Sequence, residues 1–405
     1  MKYIEGGVCA AKGFKASGMH CGVKSKKADK KDVALIVSDC DCSAAAAYTK
    51  NIVKAAPLNI TKANLENGHA RAVIVNSGNA NACAPGGEEN ALRCCAAAAD
   101  ALGISKEDVI VASTGVIGQP LNVEAILEGV PHLASTLTAE GSRDAAQAIM
   151  TTDTTEKYGA VEIEIGGKPV RIGGIAKGSG MIHPNMGTML CFITTDCAIS
   201  PEMAKSAILD AVEVSFNRVS VDGDTSTNDM CTLMANGLAG NDEICEKNSD
   251  YAIFMQALNE LCIGFAKAMA ADGEGATHLI TCTVTGAKSV SDAEMMSKSV
   301  ISSTLTKAAI FGADANWGRV LCAMGYSGAQ FSLDEVDMAF ESVAGAIKVC
   351  EGGRGLDFDE DIAKKILSEH EIKINISLDE GSCECTCWGC DITYDYIKIN
   401  GDYRS

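Results

Sequence analysis

The chain has 405 residues, 47% of them apolar, and carries 53 acidic against 34 basic side chains for a formal net charge of −19. That length allows two or three domains with cores of their own, and the negative field disfavours nucleic acid and anionic membrane surfaces, leaving small polar or cationic metabolites as partners. The opening Met1-Lys2-Tyr3-Ile4-Glu5-Gly6-Gly7 lacks the apolar run of a signal peptide and no stretch reaches transmembrane length, so a cytoplasmic protein is expected.

Short apolar runs rich in β-branched residues predict buried strands at 33–37, 72–75 and 109–112, and the Ala-rich stretch 88–102 predicts a helix between the second and third. A strand at 188–193, helices at 201–214 and 251–271, and a strand at 279–284 follow. The expected class is mixed αβ, α+β in its layering, with sheets stacked between helices. Gly86-Gly87, Gly173-Gly174 and Gly352-Gly353 read as turn punctuation, with no Pro-rich linker and no fixed-period repeat. The 19 cysteines are scattered through apolar segments such as Leu190-Cys191-Phe192, which fits reduced thiols used as small core residues better than a disulfide scaffold.

One junction carries chemistry. The loop Lys177-Gly178-Ser179-Gly180-Met181-Ile182-His183-Pro184-Asn185-Met186-Gly187 has neither helical nor strand period and runs straight into the apolar run at Thr188. Pro184 keeps its predecessor out of helix, and Gly187 places no side chain beside the candidate scissile carbonyl, so the Thr188 hydroxyl has access to it within the same chain. Cleavage there would expose an α-amine whose ordinary pKa near 7.7–8.0 leaves a usable neutral fraction, giving a weak hydroxyl nucleophile its own local base. An isolated Gly-Thr pair would ordinarily just begin a core strand, and the surrounding residues decide the matter.

The segment from Lys177 to Leu190 resembles the self-cleavage segment of the ornithine acetyltransferase family, many of whose members double as N-acetylglutamate synthases. Asn76-Ser77-Gly78-Asn79-Ala80-Asn81, Ser113-Thr114-Gly115-Val116, Met150-Thr151-Thr152-Asp153-Thr154, Ser220 through Asp229, Asp272-Gly273-Glu274-Gly275, Asp314-Ala315-Asn316-Trp317 and the end Asn400-Gly401-Asp402-Tyr403-Arg404-Ser405 are similar in the same order. The departures are Gly187, where the family usually has alanine, and a terminal serine where threonine is frequent.

The resemblance implies an N-terminal-nucleophile-like fold of family-specific topology. It divides the chain into an α fragment, 1–187, and a β fragment, 188–405, associated as α2β2. Thr188 would be the nucleophile, Thr114 and Gly115 the oxyanion hole, and Thr152, Lys177, Thr188, Glu274, Asn400 and Ser405 the substrate contacts. The implied reaction is ping-pong: Thr188 takes acetyl from N2-acetylornithine and passes it to glutamate, with no metal or organic cofactor and with acetyl-CoA left open as a second donor. The residue types suit these roles. A strand-end Thr-Gly turn exposes amides for an oxyanion, a lysine suits an α-carboxylate, and a carboxylate between two glycines suits a substrate ammonium.

Two competing readings are kept. Handing the same acyl group to water would make the chain an amidase or aminopeptidase. Alternatively, Cys383, Cys385, Cys387 and Cys390 in a C-x-C-x-C-x2-C pattern have spacing that a zinc or iron–sulfur protein uses, although period two puts three of them on one strand face, where thiols also pack as core.

Overall fold

The computed structural model describes residues 1–24, 30–183 and 189–402. The apolar runs sit inside longer strands: Val33–Tyr48, His69–Asn79, Val109–Val116 and Leu279–Ala287. Val33–Tyr48 continues through the polar and alanine-rich half of its sequence because Phe14–Met19, His69–Asn79 and Met230–Ala235 all pair with it, and ladder bonds outweigh the low strand propensity of alanine. The helices Gly87–Leu102, Pro201–Val214 and Ser249–Ala271 fall within a residue or two of expectation. At Pro201 the reason is local: the Ser200 hydroxyl accepts from the Met203 amide, and proline occupies a first-turn position that needs no N–H.

The chain forms two compact units. One comprises Met1–Gly178, Pro184–Asn217 and Thr225–Phe265; the other comprises Ser179–His183, Arg218–Asp224 and Ala266–Ser405. Each takes residues from both sides of the expected cut, so compactness and a covalent division at 187/188 are different partitions of the chain.

The sheet of the first unit runs in the order Lys2–Ile4, Lys157–Ile165, Lys168–Lys177, Leu190–Thr195, Met230–Ala235, Val33–Tyr48, His69–Asn79, Val109–Val116, with Phe14–Met19 added on Val33–Tyr48. Val33, Leu35, Ala72, Ile74, Val109 and Val111 pack on one face against helices Gly87–Leu102 and Val123–Ser135. Ala34, Ile36, Val73, Val75, Ile110 and Ala112 pack on the other, with the buried alanines and Ile149 of helix Ser142–Ile149. Burial of both faces is why these strands read as unbroken apolar runs rather than alternating ones.

Gly173-Gly174 is not a turn, contrary to the sequence reading. Both lie within the strand Lys168–Lys177, where a Cβ on Gly173 would sit 1.9 Å from the Gly7 carbonyl oxygen and one on Gly174 would meet the Phe265 ring at 2.9 Å. Close approach of backbone and ring, not chain reversal, selects glycine there. Gly352-Gly353 is a reversal, both residues having positive φ.

The second unit has a sheet ordered Arg354–Gly355, Gly345–Glu351, Asp337–Ser342, Glu371–Ser377, Leu279–Ala287, Cys383–Cys390, Val219–Ser220. Ile280, Cys282, Val284, Ile372, Ile374, Ile376 and Phe340 pack with Met296, Val300, Met324 and Ile366 from helices Val290–Ser302, Trp317–Gly325 and Glu360–Leu367. The alternate positions carry Thr281, Thr283, Lys373 and Asn375, the last two meeting Glu341 at 2.8 Å each.

Cys385 and Cys387 are buried in this apolar cluster, and the Ser297 hydroxyl donates to the Cys387 sulfur at 3.1 Å. All 19 cysteines are free thiols. Among the described residues no three His, Cys, Asp or Glu side chains converge as metal ligands would, and no helix is long and apolar enough to cross a membrane.

Candidate active site

Two strand ends of the first unit meet at the Thr114-Gly115 turn. Val109–Val116 runs parallel to His69–Asn79, with Thr114 opposite Ser77 and Gly115 opposite Gly78. Both glycines have positive φ, 134° and 99°, and a Cβ on Gly115 would fall 2.3 Å from the Gly78 carbonyl carbon. Only glycine lets the two backbones close to this distance in that conformation. The turn is braced by Asn228, whose amide nitrogen donates to the Ser113 carbonyl at 2.7 Å and the Ala80 carbonyl at 2.6 Å.

Lys177 ends the strand Lys168–Lys177 and is 6% exposed; its ammonium donates to the Thr114 hydroxyl at 3.4 Å. A lysine buried this deeply needs a counter-charge, and Asp153 supplies one. The Asp153 carboxylate accepts from the Gly178 amide at 2.7 Å, the Lys157 ammonium at 2.8 Å and the Thr151 amide at 3.1 Å. Burial would raise its pKa, but the charges of Lys177 and Lys157 and these bonds bring it down to about 2, so it stays ionised. Thr152 stands between Thr151 and Asp153 in this bend, half-buried. Lys177, Thr114, Gly115 and Thr152 therefore share one neighbourhood of the first unit.

Glu274 and Asn400 come together in the second unit, the Asn400 amide donating to the Glu274 carboxylate at 2.8 Å. The Glu274 amide donates to the Ser179 carbonyl at 3.0 Å. The Glu274 carboxyl lies directly over Gly180, where a Cβ would be 2.2 Å from its Cδ. The glycines of Lys177-Gly178-Ser179-Gly180 thus have separate physical reasons: Gly178 offers its amide to Asp153, and Gly180 makes room for Glu274.

The loop before the expected cut is anchored by Asp222, which accepts from the Met181 amide at 2.5 Å and the Ile182 amide at 2.8 Å. Val221 N–H donates to the Ile182 carbonyl at 2.6 Å. His183 meets the Ser220 hydroxyl at 3.0 Å, and burial, followed by the charge of Lys298, pushes its pKa down to about 4, leaving a neutral and weakly basic ring at neutral pH.

Gly187, Thr188 and Ser405 lie outside the described residues. Downstream, Leu190 opens the strand Leu190–Thr195, opposite Lys177 on one side and parallel to Met230 on the other. Asp153, Asn228 and Asp222 were not assigned roles from sequence. Their signal was present, since all three lie in segments quoted for the family resemblance, but nothing in spacing tells a bracing amide from a surface one.

The first unit thus holds a buried lysine against a strand-end glycine turn, the second separately holds a carboxylate over a glycine, and the fold is of the layered αβ class. The chain belongs to the ArgJ family, whose model matches residues 15–405. It is 50% identical over 406 residues to the arginine biosynthesis bifunctional protein ArgJ of Symbiobacterium thermophilum, covering 100% of both chains. The protein of the same name from Bacillus subtilis is 46% identical over 404 residues, covering 99% of this chain and 97% of the relative. Among solved structures, arginine biosynthesis bifunctional protein argJ of Bacillus halodurans is 43% identical with a TM-score of 0.50, covering 52% of this chain and 97% of that one. A structure of ornithine acetyltransferase from Mycobacterium tuberculosis complexed with ornithine is 38% identical over 44% of this chain and 95% of its own, with a TM-score of 0.41.

Proposed function

We propose that this chain is a glutamate N-acetyltransferase of arginine biosynthesis that moves acetyl from N2-acetylornithine to L-glutamate through an acetyl-Thr188 intermediate. The observation that carries the reading is similarity over the full length to proteins named for bifunctional arginine biosynthesis. The word bifunctional supports acetyl-CoA as a second acetyl donor for the same site.

Thr188 first attacks the Gly187 carbonyl: the Oγ–C bond forms and the C–N bond breaks, which frees the threonine amine, and water then opens the ester to release the Gly187 carboxylate and restore the hydroxyl. In turnover the same hydroxyl attacks the acetyl carbonyl of acetylornithine, ornithine leaves, and the amine of glutamate takes the acetyl from Thr188. The Gly115 amide and Thr114 hydroxyl would receive the developing oxyanion, with the Lys177 ammonium beside them adding positive charge. Removing one such donor costs about 10²–10³ in kcat in known acyl-transfer sites. Glu274, held by Asn400, is suited to a substrate ammonium, and Ser405 and Thr152 are assigned to orient the remaining polar groups.

Cleavage is supported by a length relation: the solved Bacillus halodurans chain corresponds to 52% of this one yet is covered over 97% of itself, as a fragment divided near the middle would be. The fragments are proposed to assemble as α2β2 in the cytoplasm. The test is the mass of purified protein together with Thr188→Ala. The parent should yield fragments ending at Gly187 and beginning at Thr188. The variant should remain one chain and lose at least about 10³-fold in glutamate acetylation; parental turnover by it would end this reading.

A further inference from the structure

Asp229 is a buried carboxyl that no role above absorbs. It directly precedes the strand Met230–Ala235, which runs parallel to Leu190–Thr195 with Met230 beside Leu190, and the Met230 amide donates to the Met189 carbonyl at 3.0 Å. Asp229 is 2% exposed, and among the described residues its Oδ2 has no hydrogen-bond partner. An unsatisfied buried oxygen costs stability, and a fold retains such a group where it has a task. Burial raises its pKa well above the ordinary carboxylate value, and the Thr49 side chain, the Met189 amide and the Lys177 ammonium lower it by less. Among the described residues, the charged group acting on it is Lys177. The upward shift favours the protonated carboxyl, and the group stands level with Met189, the residue that follows Thr188.

We propose that Asp229 relays the proton that self-cleavage must move from the Thr188 hydroxyl to the Thr188 nitrogen. This rests on the cleavage reading above. The balance is simple: as the Oγ–C bond to Gly187 forms and the C–N bond breaks, the carboxyl gives its proton to the departing nitrogen and collects the one leaving the hydroxyl. Nothing is consumed, and Asp229 ends as it began. General acid–base assistance of this kind contributes about 10²–10⁴-fold.

The experiment follows cleavage in time after cell-free synthesis, reading full-length chain against fragments on a denaturing gel. Asp229→Asn, which keeps the shape and cannot exchange a proton this way, should slow cleavage by about 10²-fold or more. Asp229→Glu should restore part of the rate, which a purely structural loss would not allow. The parent's own rate supplies a readout independent of any variant's folding. Because the working form is protonated, the rate should hold at low pH and fall as pH rises above the ordinary carboxylate range. A parental rate flat or rising from pH 4 to 9, or cleavage of a folded Asp229→Asn at the parental rate, overturns the relay while leaving Thr188 as nucleophile. A parent that never cleaves at Thr188 overturns the reading beneath it.

Discussion

At the scale of single residues, the site is shaped by what glycine leaves out. The space over Gly180 is occupied by the Glu274 carboxyl at a distance that forbids even a methyl group. Gly180→Ala must therefore displace Glu274 from Asn400 or strain the loop, at roughly 1–3 kcal/mol. If Glu274 meets the substrate ammonium, KM for acetylornithine should rise about 10- to 100-fold with a smaller change in kcat. Steady-state kinetics of the cleaved variant check this, and an unchanged KM would remove Glu274 from the substrate site. Gly180 was visible in the sequence as part of a motif. Its reason was not, because the partner lies almost a hundred residues further on.

Among the elements, the parallel pair His69–Asn79 and Val109–Val116 matters most. Its strands could be read from apolar runs because both faces are buried, and the helix Pro201–Val214 could be read from its cap and proline. Gly173-Gly174 could not, since a glycine pair selected by Gly7 and Phe265 looks in one dimension like a turn. Nor could the role of Asn228, which reaches the Ser113 carbonyl within one strand and the Ala80 carbonyl just past the end of another. The meeting of Gly78 and Gly115 leads to a prediction: Gly115→Ala places a Cβ against the Gly78 backbone in a conformation that L side chains rarely adopt, which pushes the strand ends apart. With the amide displaced from a developing oxyanion, kcat should fall about 10²–10³-fold while KM changes less. A variant that keeps near-parental kcat would show that this amide is not a donor in the reaction.

Across the whole molecule, the strand Leu190–Thr195 lies between Lys168–Lys177 and Met230–Ala235, so a cut just before it would leave its ladders intact on both edges. One continuous sheet would then be shared by two polypeptides. For the uncut Thr188→Ala chain, recovery from denaturant is a first-order search whose rate ignores dilution. For the severed parent, the central strand must be found by a separate molecule, so renaturation should become second-order and fail at nanomolar concentration. Refolding yield against protein concentration, followed by circular dichroism for both forms, measures this. Self-cleavage would thus turn an equilibrium fold into one whose history matters: assembled once as a single chain, and held afterwards by the slowness of coming apart.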